Sequence, residues 1–309
     1  MNALLSVSSS AVAAAELTQV IEWLGLRFAI PEDWQIVRHA AAFEAGRLVI
    51  VDRRRERCSL IWTRCNERPD LGRLVDDART RAGSERPPAA FQSFVGAAPW
   101  QGYVETCGSD GSVRTSAVRW DERGKRLLEL VVIDRVHDDA QSNLAVRLAR
   151  AVESVAHPEE ARRWRAFDVD VTTPAAYRLV RLDSRPADAT FVFRRFDSVR
   201  GRPARQEGVV RRMGMADVWH DGDLERVARR LDPDARIDAV EAHTDGAVTL
   251  TGYEGGKRYQ RLFGTLRVQR TRLWSSPVEN AIYAVTTRAP RADSLRPTDF
   301  LTRHPEEAT

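Results

Sequence analysis

Hydrophobic residues along this chain of 309 residues follow two spacings, one typical of amphipathic helices and one typical of strands. Residues 17–24 have apolar side chains at i, i+3, i+4 and i+7, which predicts a helix that Gly25 ends. The same criterion predicts helices over residues 71–82, 144–155 and 224–231. Four helices of this kind have one apolar face each, so we expect them to pack against sheets.

The segments between these helices predict strands. Residues 115–120 and 261–267 alternate apolar and polar positions, which is typical of antiparallel sheets with one covered face. The polar run 220–223 comes directly before the helix at residue 224, so we interpret Asp221 or Asp223 as its N-cap and not as a metal ligand. Together the elements predict an α+β fold.

The two halves of the chain repeat the same segments in the same order. PEDWQIVR from Pro31 and PAAYRLVR from Pro174 match at an offset of 143, and this offset also aligns residues 48–50 with 191–193. Later matches occur at somewhat larger offsets: residues 71–82 with 224–231, 101–103 with 251–253, and 127–133 with 281–287. A repeat of this period predicts a duplication, with a first domain over residues 1–160, a second, divergent one over 161–290, and a loosely ordered tail over 291–309.

Composition limits the classes of protein that are worth considering. With 43% hydrophobic and 30% charged residues, the chain is globular and not disordered. No apolar run reaches the roughly 18 residues of a membrane span. The Ala-rich start carries no Lys or Arg before Arg27, which argues against a signal peptide and predicts a cytoplasmic protein.

The cysteines point to the same compartment. An odd, sparse set of three, Cys58, Cys65 and Cys107, is typical of a reducing environment. Cys58 and Cys65 lie at opposite ends of a predicted strand, roughly 23 Å apart, so they neither form a disulfide nor share a metal. We interpret them as small buried apolar residues.

Arginine accounts for 46 of the 48 basic side chains, since the only lysines are Lys125 and Lys257. Such a skew is typical of a G+C-rich bacterial coding sequence. Two dense runs follow the second strand of each copy, one at residues 53–57 and one with seven Arg at 194–212. The candidate partner-binding arginines are Arg53, Arg54, Arg55, Arg194, Arg195, Arg200 and Arg202.

These arginine runs have two interpretations. They bind nucleic acid or another anionic partner, or they form solvated sheet edges that resist aggregation. The net charge of only +4 favours the second interpretation.

Seven of the eight tryptophans fall in or near predicted strands and Trp23 lies on the first predicted helix, and most are expected in the cores. Trp100 follows Pro99 near a strand start, and we therefore predict that it is exposed and contacts a partner.

Motifs that would support catalysis are missing from the sequence. The six histidines form no metal-binding spacing with each other or with the cysteines. Neither a phosphate-binding loop nor a nucleophile elbow occurs. We therefore predict no catalytic residues, no metal and no cofactor.

The start of each copy resembles a known superfamily. An aromatic or apolar residue followed by Pro-x-x-aromatic occurs as FAIPEDW over residues 28–34 and as VTTPAAY over 171–177. This pattern resembles the PsbP-like superfamily, which includes the extrinsic photosystem II subunit, the Ran-binding nuclear-import factor and DcrB-type proteins. The resemblance implies two tandem copies of an antiparallel sheet with helices packed on its faces, in a protein that binds partners and is not an enzyme.

The leading hypothesis is therefore a non-enzymatic scaffold or assembly factor that binds another protein. The first alternative is a protein that binds nucleic acid or an anionic ligand through its Arg-rich edges, a reading that the modest net charge disfavours. The second alternative is a small-molecule enzyme with a site between the two copies.

Overall fold

The computed structural model describes residues 16–85, 90–106, 111–135, 144–155, 161–185, 187–196, 203–219, 223–254, 267–290 and 300–302. Contacts divide the chain into two compact units. The first unit comprises residues 1–21 and 25–155, and the second comprises residues 22–24 and 156–309.

The first unit is built mainly from strands. Its elements in chain order are β1 (Leu17–Trp23, whose last two residues belong to the second unit), β2 (Leu26–Pro31), β3 (Gln35–Arg38), β4 (Ala45–Val51), β5 (Glu56–Arg64), α1 (Leu71–Glu85), β6 (Ala90–Ser93), β7 (Gln101–Thr106), β8 (Ser112–Asp121), β9 (Arg126–Arg135), α2 (Leu144–Ala151) and β10 (Glu153–Ser154). Seven of the strands form an antiparallel sheet in the order β3-β4-β5-β9-β8-β7-β6. Strand β10 pairs with β2.

The second unit repeats this plan. Its elements are β11 (Ala161–Ala166), β12 (Val169–Pro174), β13 (Tyr177–Arg185), β14 (Asp188–Phe196), β15 (Pro203–Gly214), α3 (Ala216–Trp219), α4 (Leu224–Leu231), β16 (Arg236–Ala242), β17 (Val248–Tyr253), β18 (Val268–Ser276), β19 (Ala281–Ala289) and β20 (Leu301–Thr302). Its seven-stranded sheet has the order β13-β14-β15-β19-β18-β17-β16, which is the strand order of the first sheet. Strand β12 pairs with β11 and with β20.

The first two strands of both sheets share fine detail. Ile36 pairs with Ile50 across β3 and β4, and Leu179 pairs with Phe193 across β13 and β14. In both pairs of strands the register then shifts by one residue, at Val37 and at Val180. These positions differ by the offset of 143 found in the sequence. Gene duplication stays a proposal, and this shared bulge supports it.

The predicted fold class was wrong. Strands contain 59% of the described residues and helices only 14%, so the protein is mostly β and not α+β with helices covering its sheets. The resemblance to the PsbP-like superfamily is wrong for the same reason.

The helix predicted over residues 17–24 is strand β1. The segment is rich in β-branched and aromatic residues, which favour strands. Leu24 and Gly25 both have positive φ and form a tight turn into β2. An apolar run of this length cannot be assigned to helix or strand from its spacing.

Other predicted elements are confirmed. Helix α4 spans residues 224–231 as predicted, and the Asp223 carboxylate accepts a hydrogen bond from the backbone N–H of Arg226 at 3.0 Å. Helix α1 covers the predicted segment and continues to Glu85, and α2 covers the first part of residues 144–155. Cys58 lies within strand β5, where it is buried.

Several predictions lie outside the described residues. They include residues 261–266 of the predicted strand 261–267, Cys107, Asp221 and most of the tail after residue 290. Within the tail, Phe300 is buried and β20 pairs with β12.

The main core of the first unit lies on one face of its sheet. The cross-strand pairs show that alternate residues of β4, β5 and β9 point to the same side, and those residues are apolar and buried: Leu48, Ile50, Cys58, Leu60, Trp62, Leu128, Leu130 and Val132. The opposite face, next to α1, carries polar residues such as Ser59 and Glu129. That face also carries the buried apolar residues Val49 and Val131, so it is mixed in polarity where the core face is apolar.

Gly102 in β7 makes a sharp test of the sheet. A Cβ at this position would lie 2.1 Å from the carbonyl oxygen of Ser116 on the neighbouring strand β8, so we expect Gly102→Ala to cost about 1–3 kcal/mol of unfolding free energy. Gly83→Ala in helix α1 is the control. A Cβ at this position would meet only the ring of Phe91, at an ordinary contact distance of 3.6 Å. That substitution should stabilise the protein by roughly 0.5–1 kcal/mol. Denaturant unfolding of the two variants should give changes of opposite sign, and equal changes would contradict the described β7–β8 packing.

Candidate functional site

The first arginine run lies in the turn between β4 and β5. The Asp52 carboxylate accepts hydrogen bonds from the backbone N–H groups of Arg54 and Arg55 at 2.7 and 2.8 Å. Burial alone would raise the pKa of Asp52, but these two bonds and the charge of Arg57 outweigh it, and the pKa is lowered. Asp52 therefore stays ionised and holds the turn, which leaves Arg53 and Arg54 exposed.

Arg57, at the end of this run, has a structural role. It is buried, forms ion pairs with Asp52 at 3.5 Å and Asp134 at 3.4 Å, and lies over the ring of Trp34. A guanidinium held in this way stabilises the sheet and is not presented to a partner.

The second run lies at the corresponding hairpin, between β14 and β15. Arg194 forms an ion pair with Glu207 at 3.5 Å, and Arg195 donates a hydrogen bond to Gln206 at 2.7 Å. Arg200 and Arg202 lie outside the described residues. Arg194 and Arg195 thus contact the chain's own acceptors. Binding of a partner by either arginine run stays a prediction.

The predicted exposure of Trp100 was wrong. Its side chain is only 5% exposed, its indole N–H donates to the Ala149 carbonyl at 2.8 Å, and the Arg119 guanidinium lies 4.9 Å from the ring centroid. Helix α2 covers the tryptophan, and a contact between residues 49 positions apart cannot be read from the local sequence.

The described part of the chain offers little redox or metal chemistry. Burial raises the pKa of the Cys58 thiol to about 12, so this thiol stays protonated and unreactive. Within the described residues, no group of three His, Cys, Asp or Glu side chains is placed to hold a metal ion.

A cluster of exposed apolar side chains stands out in the second unit. We define the apolar patch as Met215, Val218 and Val278, whose exposed fractions are 53, 68 and 80%. Met215 directly precedes the short helix α3, and Val218 belongs to it. Val278 lies in the turn between β18 and β19.

Asn280 joins the two segments that carry the apolar patch. Its backbone carbonyl accepts from the N–H of Ala216, its side-chain oxygen accepts from the N–H of Asp217, and its side-chain NH₂ donates to the Asp217 carboxylate, all between 2.8 and 3.0 Å. Below them, Ala216 is buried in the core against α4 and β19. The patch is therefore fixed in position by a polar network and by the core.

Two carboxylates lie among the apolar side chains. Asp217 is exposed between Met215 and Val218, and Glu279 follows Val278. The hydroxyl of buried Tyr283 hydrogen-bonds to Glu279, and burial followed by the effect of Glu279 raises the pKa of that hydroxyl. The surface thus combines apolar contact area with negative charge.

The sequence analysis did not identify this patch. The sequence does contain one indication of it. Pro277-Val278-Glu279-Asn280 is a turn sequence, and an apolar residue such as Val278 is not required by a turn. Similarly, Val218 is an apolar residue beside Asp217 in a segment too short to bury both faces.

The described part of the chain contains no helix long and apolar enough to cross a membrane.

Comparisons with known proteins give only remote similarity. No protein-family model and no curated protein matches the chain. Among solved structures, the apo form of the type VI secretion immunity protein TplEi from Pseudomonas aeruginosa aligns with a TM-score of 0.39 and 11% identity, over 94% of this chain and 92% of that chain. The same protein complexed with a peptide named "L" aligns with a TM-score of 0.36 and 11% identity, over 95% and 94%. Similarity at this level establishes neither a shared fold nor a shared function.

Proposed function

We propose that this chain functions by binding another protein, without catalysis, and that the apolar patch is its docking surface. The observation that carries the proposal is the exposure of Met215, Val218 and Val278 on loops that Asn280 fixes in place. Grouped apolar side chains on a surface are typical of interaction sites. A surface that is already ordered loses little conformational entropy on binding, which favours affinity.

The charge of the site specifies the partner's chemistry. Asp217 and Glu279 lie beside the apolar side chains, so the complementary surface presents apolar side chains flanked by Lys or Arg. This composition is typical of an interface with an apolar centre and a charged rim.

The test compares the proteins that the tagged chain captures with the proteins that a tagged Val218→Asp/Val278→Asp variant captures. We expect a partner that survives high salt with the unsubstituted chain and is lost with the variant, because two added charges would be desolvated at the interface. Calorimetry with the purified partner should give a dissociation constant that is at least about thirtyfold higher for the variant than for the unsubstituted chain.

Val95→Asp provides the matched control. Val95 is 74% exposed and lies in the first unit, so this substitution makes one change of the same kind, adding a single negative charge, away from the apolar patch. The affinity of Val95→Asp for the partner should equal that of the unsubstituted chain, and the melting temperatures of all variants should stay unchanged. Equal affinity of the double variant would contradict the docking surface, and recovery of nucleic acid that is lost as salt rises would contradict protein binding itself.

A further inference from the structure

A cavity lies in the first unit, beneath helix α1. It has a volume of about 200 Å³ and separates the helix from strands β7, β8 and β9. A cavity of about 150 Å³ can hold a benzene molecule, so this one has room for a ligand of about the size of an amino acid. It is separate from the apolar patch, which belongs to the other unit.

The two walls of this cavity differ in chemistry. Leu74 and Ala78 of α1 contribute apolar surface on the helix side. On the sheet side, cross-strand pairing places Glu105 opposite Arg114, and Glu129 opposite Val118, on the same face of the sheet. Arg81 of α1 lines the cavity too. A ligand in this cavity would therefore contact apolar groups and one cation on the helix side, and charges of both signs on the sheet side.

Two of these charged side chains have polar atoms without a partner among the described residues. Arg114 Nε is buried without a hydrogen bond. The Glu129 side chain lines the same cavity, is half-buried, and forms no hydrogen bond or ion pair with a described side chain. Half-buried charges without partners cost stability unless something else satisfies them.

The corresponding region of the second unit shows the alternative arrangement. The cavity between α4 and strands β16–β18 measures only about 20 Å³. Next to it, Arg288 donates to Glu207 at 3.0 Å, to Asp232 at 3.0 Å and to Gln269 at 2.9 Å. There the chain satisfies the charge of Arg288 and leaves little room for a ligand, whereas the first unit leaves space beside Arg114 and Glu129.

We propose that the cavity beneath α1 binds a zwitterionic, amino-acid-sized ligand with an apolar side chain. The Arg114 guanidinium binds its carboxylate, the Glu129 carboxylate binds its ammonium group, and Leu74 and Ala78 contact its side chain. The opposite charges of the site match those of the ligand, and the volume of the cavity suits a ligand of this size.

Calorimetry with L-leucine tests this proposal, with 4-methylpentanoate and 3-methylbutylamine as analogues that lack the ammonium and the carboxylate, respectively. We expect leucine to bind and each analogue to bind at least about tenfold more weakly, because each leaves one buried charge unsatisfied. Glu129→Gln and Arg114→Gln should weaken leucine to a similar degree, while Glu67→Gln, an exposed position outside the cavity, should not.

A stability readout separates a binding role from a structural one. Because Glu129 has no described partner, Glu129→Gln should leave the melting temperature of the ligand-free protein unchanged or raise it. A large drop would show that Glu129 holds the fold, and would overturn the proposal. Failure of the unsubstituted protein to bind leucine at millimolar concentration would overturn it too, and so would variants Glu129→Gln and Arg114→Gln that bind leucine as tightly as the unsubstituted protein does.

Discussion

Phe193→Ala is expected to remove about 3–5 kcal/mol from the unfolding free energy of the second unit. The ring is fully buried in β14, and its centroid lies 5.6 Å from Trp164, 5.9 Å from Phe300 and 6.3 Å from Phe191. Four aromatic rings in contact leave a large void when one of them is removed, since the others cannot rotate to fill it. Denaturant unfolding followed by tryptophan fluorescence measures the loss.

Phe196→Ala on the same strand is the matched control. Phe196 is half-buried at the end of β14, with the Arg178 guanidinium 4.8 Å from its ring centroid. Losing a contact of this kind should cost about 1 kcal/mol or less. If the two variants lost the same stability, the aromatic cluster would not be the core of this unit.

The same cluster explains why residues 22–24 belong to the second unit by their contacts. Trp23 is 1% exposed, and its ring meets that of Trp164 edge-on at 5.5 Å. Glu22 pairs with Arg165 on strand β11. The three residues lie more than 130 positions before this partner strand, so nothing in the local sequence indicates where they pack.

Sequence reasoning succeeded where a pattern is local and long. The offset of 143 between Ile36 and Leu179 places both in equivalent strands, and the register shift follows at Val37 and Val180. Helix α4 was predicted to its last residue, because an apolar stripe and the capping carboxylate of Asp223 coincide. In such segments local preference and tertiary packing agree, and the pattern is then sufficient.

Sequence reasoning failed where packing decides. The spacing of residues 17–24 fits a helix, but Ile21 and Trp23 are buried as parts of a strand, and short apolar runs carry no information that separates the two. Without that helix the argument for a superfamily with helices on its sheets is lost.

The candidate sites show the same limit. Trp100 was expected at the surface but lies beneath α2, whose contribution to its burial comes from 49 positions away. The apolar patch depends on Asn280 bonding to Asp217, 63 positions earlier. The cavity beneath α1 depends on which face of β8 points to the helix. The sequence gives the residue types, but it does not show which distant residues contact each other in the fold.

Asp121→Asn is expected to have the second large effect, a loss of about 3 kcal/mol or more of unfolding free energy at neutral pH. The Asp121 and Arg126 side chains are 1% and 2% exposed, and Arg126 donates two hydrogen bonds to Asp121 at 2.9 and 3.1 Å. In the variant the buried Arg126 guanidinium would lose the negative charge of Asp121. Glu225→Gln, which removes the charge from an exposed ion pair with Arg229, should change stability by no more than about 0.5 kcal/mol.

The pH dependence of this loss identifies its cause. Burial alone would raise the pKa of Asp121, but hydrogen bonds from Ser154, Gly124 and Arg126, with the charge of Arg126, outweigh it and lower the pKa. The stabilisation from the ionised carboxylate is thus fully present above its unfolded pKa of about 3.9, and it is lost as pH falls through the lower folded value. The difference in unfolding free energy between the unsubstituted protein and Asp121→Asn should therefore stay constant from neutral pH down to about pH 4 and shrink below it. A difference that already shrinks between pH 7 and 5 would show that the carboxylate is not held ionised by this network.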